Sequence, residues 1–243
     1  DESRAITCWG GTDPVTLPGG VKYSEFCKEA NKRSELPQNV SIVRLHRTHY
    51  AGERSVNATQ SNGHDILSLN GIASAMYDLR NQVDVVVDFL KKNIPGFENC
   101  RIISTGPHIG VRESRMIDGE YTLTKDDLLS CAHFDDSIAV CNYDIDIHSP
   151  DGSGTSHYYF PHGEYYTIPY RCLLPKNAEN LLVAGRCVSA DHDAQASLRI
   201  MPTCATLGEA AGIAASLALN GNVRSVDTSV LRKILKEKGA KVD

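Results

Sequence analysis

The sequence predicts a chain of the α/β class with α+β character, and three features carry that prediction. From about Ile72 to Asn93 apolar residues, among them Met76, Leu79, Val83 and Val86, recur at three- and four-residue steps, the period of a helix with one buried face. Val40 to Leu45 is an apolar, β-branched run and Tyr143 to His148 alternates apolar with polar, the two patterns that strands leave in a sequence. Near the C-terminus a short apolar run, Leu181 to Gly185, is followed by a long helical segment opening at Pro202.

Taken in order, the first 40 residues are rich in turn signals around a helix at about 23–34, with Ser24 as its cap. The strand at 40–45 follows, then a polar loop through His64, then the helix at 72–93. Pro95-Gly96 stops that helix, since proline removes a donor and glycine permits the turn. Arg101 to Ser104 reads as a short strand, and Thr124 with Asp127 three positions later reads as a capping box for a helix over 125–132. Extended segments are expected at 143–148 and 165–173, with a turn at Asp151 to Gly154 between them. Leu181 to Gly185 is a strand, a polar loop comes next, and helices over 203–219 and 227–238 complete the chain.

Composition narrows the function classes. With 243 residues and 41% hydrophobic content, the chain is long enough for a sizeable core, which argues against disorder and fibrous classes. The net charge of −5 and the lack of a basic stripe make nucleic acid a poor partner. Apolar stretches such as Val85-Val86-Val87 fall far short of the roughly 20 residues that span a bilayer. Residue 1 is Asp and no signal pattern follows it, so the chain reads as cut from something longer or processed. The eight cysteines include no Cys-x-x-Cys and read mostly as buried reduced thiols.

Two segments concentrate chemistry. In the first, the run Asn180 to Gly185 ends in a glycine that lets a ligand approach the backbone, and the helix opening at Pro202 offers its positive dipole end to an anionic or carbonyl-bearing group. Gly208 and Gly212 put small residues on one face of that helix, where ordinary helix packing is the plainer explanation. In the second, His108-Ile-Gly-Val-Arg-Glu-Ser-Arg115 gathers one histidine and two arginines three apart. Arg112 and Arg115 could flank a bound carboxylate or simply pair with nearby acids. Spacing alone does not decide between these readings.

The motifs Gly110-Val-Arg-Glu-Ser-Arg115, Ile168-Pro-Tyr-Arg-Cys-Leu-Leu-Pro175, Asn180-Leu-Leu-Val-Ala-Gly-Arg186, Arg199-Ile-Met-Pro-Thr-Cys204 and Gly208-Glu-Ala-Ala-Gly212 resemble, in this order, the C-terminal half of the bacterial FAD-dependent oxidoreductase family. That family is related in fold to the fumarate reductase and glutathione reductase flavoproteins. Phe89-Leu-Lys-Lys-Asn-Ile-Pro-Gly-Phe97 and Leu123-Thr-Lys-Asp-Asp127 extend the likeness to roughly residues 40–220. The resemblance implies FAD as cofactor and a mixed-sheet substrate domain over 1–165. A C-terminal strand and helix of a Rossmann-like FAD-binding domain would occupy 166–220, and a tail helix 221–243. It also implies hydride transfer between a small substrate, which the arginines could hold if it is anionic, and flavin N5.

By the same resemblance Gly185, Arg186 and Ser189 lie at the strand end and loop that meet the flavin. Arg199, Met201, Pro202, Thr203 and Cys204 pass along the isoalloxazine, and Gly208 follows on the helix. A helix N-terminus there would stabilise the negative charge that reduction places on the N1/C2=O edge. His108, Arg112 and Arg115 are the catalytic candidates on the substrate side, with Tyr170 and Arg171 behind them.

One departure matters. Members of the family begin with a Gly-x-Gly-x-x-Gly turn that cradles the pyrophosphate, and none occurs in these 243 residues. The expectation is a C-terminal portion whose N-terminal FAD-binding half belongs to the same longer chain or to a separate subunit, and an isolated chain that binds FAD poorly and is inactive. Self-association through the uncovered face is also expected.

Other classes fit less well. His46 and His49 lack a third ligand and the zincin glutamate, so no metal site is expected, and no Gly-x-Ser-x-Gly elbow is present. A non-catalytic binding module without cofactor is the alternative from another class. The two separate geometrically: the oxidoreductase reading needs the Arg112 segment and the Pro202 helix start in one cleft, within about 15 Å.

Overall fold

The computed structural model describes residues 1–9, 13–148, 155–219 and 221–243. The chain forms two compact units, one built on Asp1–Gly110 and the other on Val111–His148 with Thr155–Asp243. This division falls between the catalytic candidates His108 and Arg112.

In the first unit, helix α1 (Tyr23–Lys32) and helix α2 (Leu69–Asn93) pack around strand β1 (Arg44–Arg47), which pairs antiparallel with β2 (Arg54–Asn57). Tyr23 and Cys27 of α1 and Phe89 and Leu90 of α2 are buried with Leu45, at the helical spacing that the sequence showed. The buried Tyr23 hydroxyl donates to the Val43 carbonyl at 2.8 Å, which satisfies the polar end of an otherwise apolar side chain. Ser68 caps α2 by accepting the Gly71 N–H at 3.0 Å. Ser24 does not cap α1: Lys22 holds the cap position without a side-chain bond, and Ser24 lies buried within the helix. Gly96 has φ +88°, and a Cβ there would sit 2.7 Å from the Ala5 nitrogen, so both backbone shape and space require glycine. The strand expected at Arg101–Ser104 is an exposed segment without ladder pairing.

The second unit holds the site. Helix α3 (Lys125–Leu129) opens with the capping box read from the sequence, Thr124 and Asp127 bonding each other's backbone N–H groups, and it is shorter than expected. Strand β3 (Ser137–Cys141) pairs antiparallel with β6 (Tyr166–Pro169), and β4 (Ile145–His148) pairs antiparallel with β5 (Thr155–Tyr158). After β6 the chain tightens into a 3-10 turn, Tyr170–Leu173, where an extended segment was expected. Helix α4 (His192–Leu198) packs on β4, α5 (Met201–Leu217) on β3, and α6 (Thr228–Glu237) on both α5 and β3. Leu123, Ile138, Ile168, Leu198, Leu207 and Leu231 are all fully buried in one core, so α6 belongs to that core and is not a detached tail.

The architecture is therefore mixed α/β with small antiparallel pairs, of α+β character. A mixed sheet is not found among the described residues: every strand pair is antiparallel, and parallel contact occurs only as the isolated bridge Leu123 to Ala190. Leu181–Gly185 is not a ladder strand either. It runs beside the 3-10 turn, held by the Val183 N–H on the Leu173 carbonyl at 2.9 Å. A ladder needs a partner with free donors and acceptors, and the folded-back 3-10 turn offers few. The turn expected at Asp151–Gly154 lies outside the described residues. No single described helix is long and apolar enough to cross a membrane.

Candidate active site

The corner between α4 and α5 positions the site. Asp191 caps α4 by accepting the Ala194 N–H at 2.8 Å, and the two helices meet at 93° with Arg199 at the C-terminal end of the first. Two bonds fasten the 112–113 segment onto α4. The buried Gln195 side chain donates to the Arg112 carbonyl at 3.1 Å, and Glu113 pairs with His192 at 2.7 Å.

At that corner Arg112 and Arg199 meet on one carboxylate. Arg112 Nη1 lies 3.2 Å and Arg199 Nη2 3.4 Å from Asp146 Oδ2, and Arg199 also donates to the Asp146 carbonyl at 3.2 Å. Asp146 is on β4 directly opposite His157 on β5. His157 contacts Asp144 through Nδ1 at 2.7 Å and faces Asp146 Oδ1 through Nε2 at 3.7 Å. Asp146 and Arg199 are mostly buried, whereas the Arg112 side chain is 49% and the His157 side chain 34% exposed. Burial, and then the neighbouring charge of Arg112, pull the Arg199 guanidinium below its ordinary pKa. Below them Ser197 donates to the Tyr143 carbonyl at 2.5 Å and bonds the buried Tyr166 hydroxyl at 2.8 Å, which fixes the start of β4.

Helix α5 begins two residues after Arg199. Its N-terminus carries no side-chain cap, and Met201 is 86% exposed there. Cβ atoms built on Gly208 or Gly212 would meet nothing within 4 Å, so this face of the helix is open. Thr203 is buried and Cys204 half-buried; burial raises the Cys204 thiol pKa, while the charge of Arg186 acts on it in the opposite direction. Gly185 has φ +88° and open space at its Cβ position, so its role is backbone conformation.

The remaining candidates take other positions. Arg115 is exposed, and His108 belongs to the first unit, where it is also exposed. Ser189 is fully buried and its hydroxyl accepts the Gly119 N–H at 3.0 Å and bonds Thr122 at 2.9 Å, a clasp between loops. Tyr170 is buried with its hydroxyl on the Val223 carbonyl at 2.9 Å, and Arg171 pairs with Asp136 at 3.0 Å over the Tyr121 ring. Tyr170 serves the core, and Arg171 forms an exposed ion pair. The sequence reading missed Asp144, Asp146 and His157; the alternation of residues 143–148 had put the two aspartates on one face, which was the available signal.

Two other clusters are chemically weaker. Ser61 and Asp78 both approach Nε2 of His64, at 2.7 and 3.0 Å, whereas a nucleophile relay needs its serine and aspartate on different ring nitrogens. An open depression of about 540 Å³ over the starts of α3 and α4 is lined by Asp126, Asp191 and Asp193, and Lys125 bonds two of them. Among the described residues no three His, Cys, Asp or Glu side chains are grouped to hold a metal ion.

Arg112 and Arg199 thus converge on Asp146 beside the uncapped N-terminus of α5. The model of the family described as FAD dependent oxidoreductase matches residues 17–235, most of the chain, and the protein belongs to that family. No curated protein and no solved structure matches the chain. The family's cofactor is FAD. The open, uncapped start of α5 fits the polar edge of a flavin ring. No Gly-x-Gly-x-x-Gly turn occurs in these 243 residues.

Proposed function

We propose that this chain supplies the substrate side and the flavin-edge side of an FAD-dependent oxidoreductase acting on a small anionic substrate. When bound, FAD supplies the hydride acceptor or donor at N5. The observation that carries the reading is the meeting of Arg112, from the substrate-side motif, with Arg199, from the cofactor-side motif, on Asp146.

In this reading the backbone N–H groups of Met201 and Thr203 face the ring edge where negative charge accumulates. Pro202, which has no N–H, presets the helix start. Gly208 keeps the helix face low enough for close approach, and Gly185, Arg186 and Cys204 border the same face. Arg112, half-exposed over a buried carboxylate, orients the substrate anion, and Arg199 joins it to the helix corner. Arg115 extends the positive rim. Ser189 shapes the loop from within. Residues 1–165 then form the substrate side, 166–220 the cofactor side, and 221–243 the helix that supports it. A Gly-rich nucleotide-binding segment outside these 243 residues completes the FAD site, so the isolated chain is inactive.

A comparative titration tests the reading. Riboflavin and FAD, followed by flavin fluorescence and the absorption band near about 450 nm, should bind weakly, saturably and with similar affinity, because the chain grips the ring and not the pyrophosphate. Binding of neither flavin contradicts the ring site. FAD binding a hundredfold tighter than riboflavin would place a pyrophosphate grip within this chain and contradict the proposed division of labour.

A further inference from the structure

We infer that the Asp146 cluster is a binding site for a short 2-hydroxycarboxylate, with the carboxylate on Arg112 and the hydroxyl at Nε2 of His157. The inference rests on the proposed substrate role of Arg112 and goes beyond it in naming the second contact and the ligand class.

Arg112 and His157 come from distant parts of the chain, yet they face the two oxygens of one carboxylate, Arg112 at Oδ2 and His157 at Oδ1. Their reaching groups are therefore separated by little more than the width of a carboxyl group and two contacts, the reach of a two- or three-carbon ligand. Both side chains are partly exposed above a mostly buried Asp146, so a small molecule can reach them from solvent. Arg112 contacts Asp146 through one terminal nitrogen, which leaves its planar fork oriented for a second carboxylate.

His157 is held on two sides. Asp144 takes Nδ1 at 2.7 Å, and Tyr159 lies parallel to the imidazole, with interplanar angle 7° and centroids 5.6 Å apart. A ring fixed at one nitrogen presents the other in a defined direction, which is how an oriented imidazole recognises a hydroxyl. Tyr159 is 68% exposed and walls one side of the position. Among the described residues facing the cluster, Arg112 and Arg199 are set against Asp144 and Asp146, so selection rests on this two-point geometry.

The test uses the whole 243-residue chain without flavin, labelled with 15N at its nine histidines, and follows the imidazole resonances during titration. The His157→Gln variant assigns the His157 signal. Lactate should shift that signal saturably, propionate should bind about tenfold more weakly for want of the hydroxyl, and propane-1,2-diol should bind weakest for want of the carboxylate. Arg112→Ala should weaken both carboxylates, and His157→Gln, read from the Asp146 backbone amide shift of uniformly 15N-labelled protein because the imidazole signal is gone, should erase the preference for lactate, with circular dichroism confirming folded variants. Equal binding of lactate and propionate in the unmodified chain overturns the inference, as does diol binding equal to lactate or no lactate response up to its solubility. If lactate fails while riboflavin binds, the ligand class falls and the flavoenzyme reading stands. If lactate binds and riboflavin does not, the reverse holds.

Discussion

Arg112 and Arg199 share a single oxygen of Asp146, at 3.2 and 3.4 Å, although one belongs to the loop after residue 110 and the other to the corner between α4 and α5. Removing the shared partner should cost far more than removing the half-exposed cation, Arg112. Asp146→Asn leaves a mostly buried Arg199 without its carboxylate and should destabilise the second unit by about 3 kcal/mol, as loss of one member of a buried pair does. Arg112→Ala, at a half-exposed position, should cost under about 1 kcal/mol. Urea unfolding of the two variants checks the asymmetry, and equal losses would mean that Asp146 is not the organising group.

Glycines of two kinds should respond oppositely to alanine. Gly96→Ala meets the Ala5 backbone at 2.7 Å and an unfavourable φ, so it should destabilise the first unit by at least about 1 kcal/mol. Gly208→Ala meets nothing within 4 Å in a helix interior and should stabilise α5 by about 0.5–1 kcal/mol. If α5 presents this face to flavin, the stabilised Gly208→Ala chain should nevertheless lose riboflavin affinity. Thermal melting and flavin titration of the same sample separate the two effects.

Alkaline pH should destabilise the second unit. Burial pushes the Cys172 thiol up to about 12, and also raises the Tyr170 and Tyr121 hydroxyls to about 12. For each acid the folded pKa exceeds the unfolded one, so its stabilisation is complete below the unfolded value. It fades as pH rises from about 8.5 for the thiol and about 10 for the phenols toward 12. Melting temperature should therefore fall steadily above about pH 9, and Cys172→Ala should flatten the first part of that decline while lowering the plateau. A flat profile for the unmodified chain between pH 8.5 and 10.5 would contradict the burial assigned to Cys172.

Much of this fold was legible where a local signal matched its outcome. The α2 periodicity, the stop at Pro95-Gly96, the Thr124 capping box and the helix opening at Pro202 all appear within a few residues of their expected places. Thr124→Ala should accordingly cost about 1 kcal/mol. What failed depended on partners. Leu181–Gly185 has strand composition but lies beside a 3-10 turn, and β-pairing is a property of two segments rather than one. Helix α4 was read as a polar loop because its seven residues, His192–Leu198, are too few to show a period, although Asp191 marks its start.

The site was legible in the same uneven way. Arg112 and Arg199 were singled out by motif resemblance, but nothing local told that they converge, since α4 and β4 bring them together. Asp146 and His157 carry no motif, and although the alternation of 143–148 marks the face of Asp146, only the antiparallel register sets His157 opposite it. Ser189 looked like a cofactor contact by its place in sequence, and the close approach of Gly119 turns its hydroxyl inward.

If the start of α5 and the Asp146 corner form one flavin-facing surface, riboflavin should perturb both. The most direct measurement is a map of backbone amide shifts during riboflavin titration of the 15N-labelled chain. The account predicts perturbations concentrated at Met201, Thr203, Cys204, Gly208 and Gly185, with smaller ones at Arg112 and Asp146. Perturbations centred elsewhere, on the acid-lined depression over α3 and α4 or on the first unit, would contradict it.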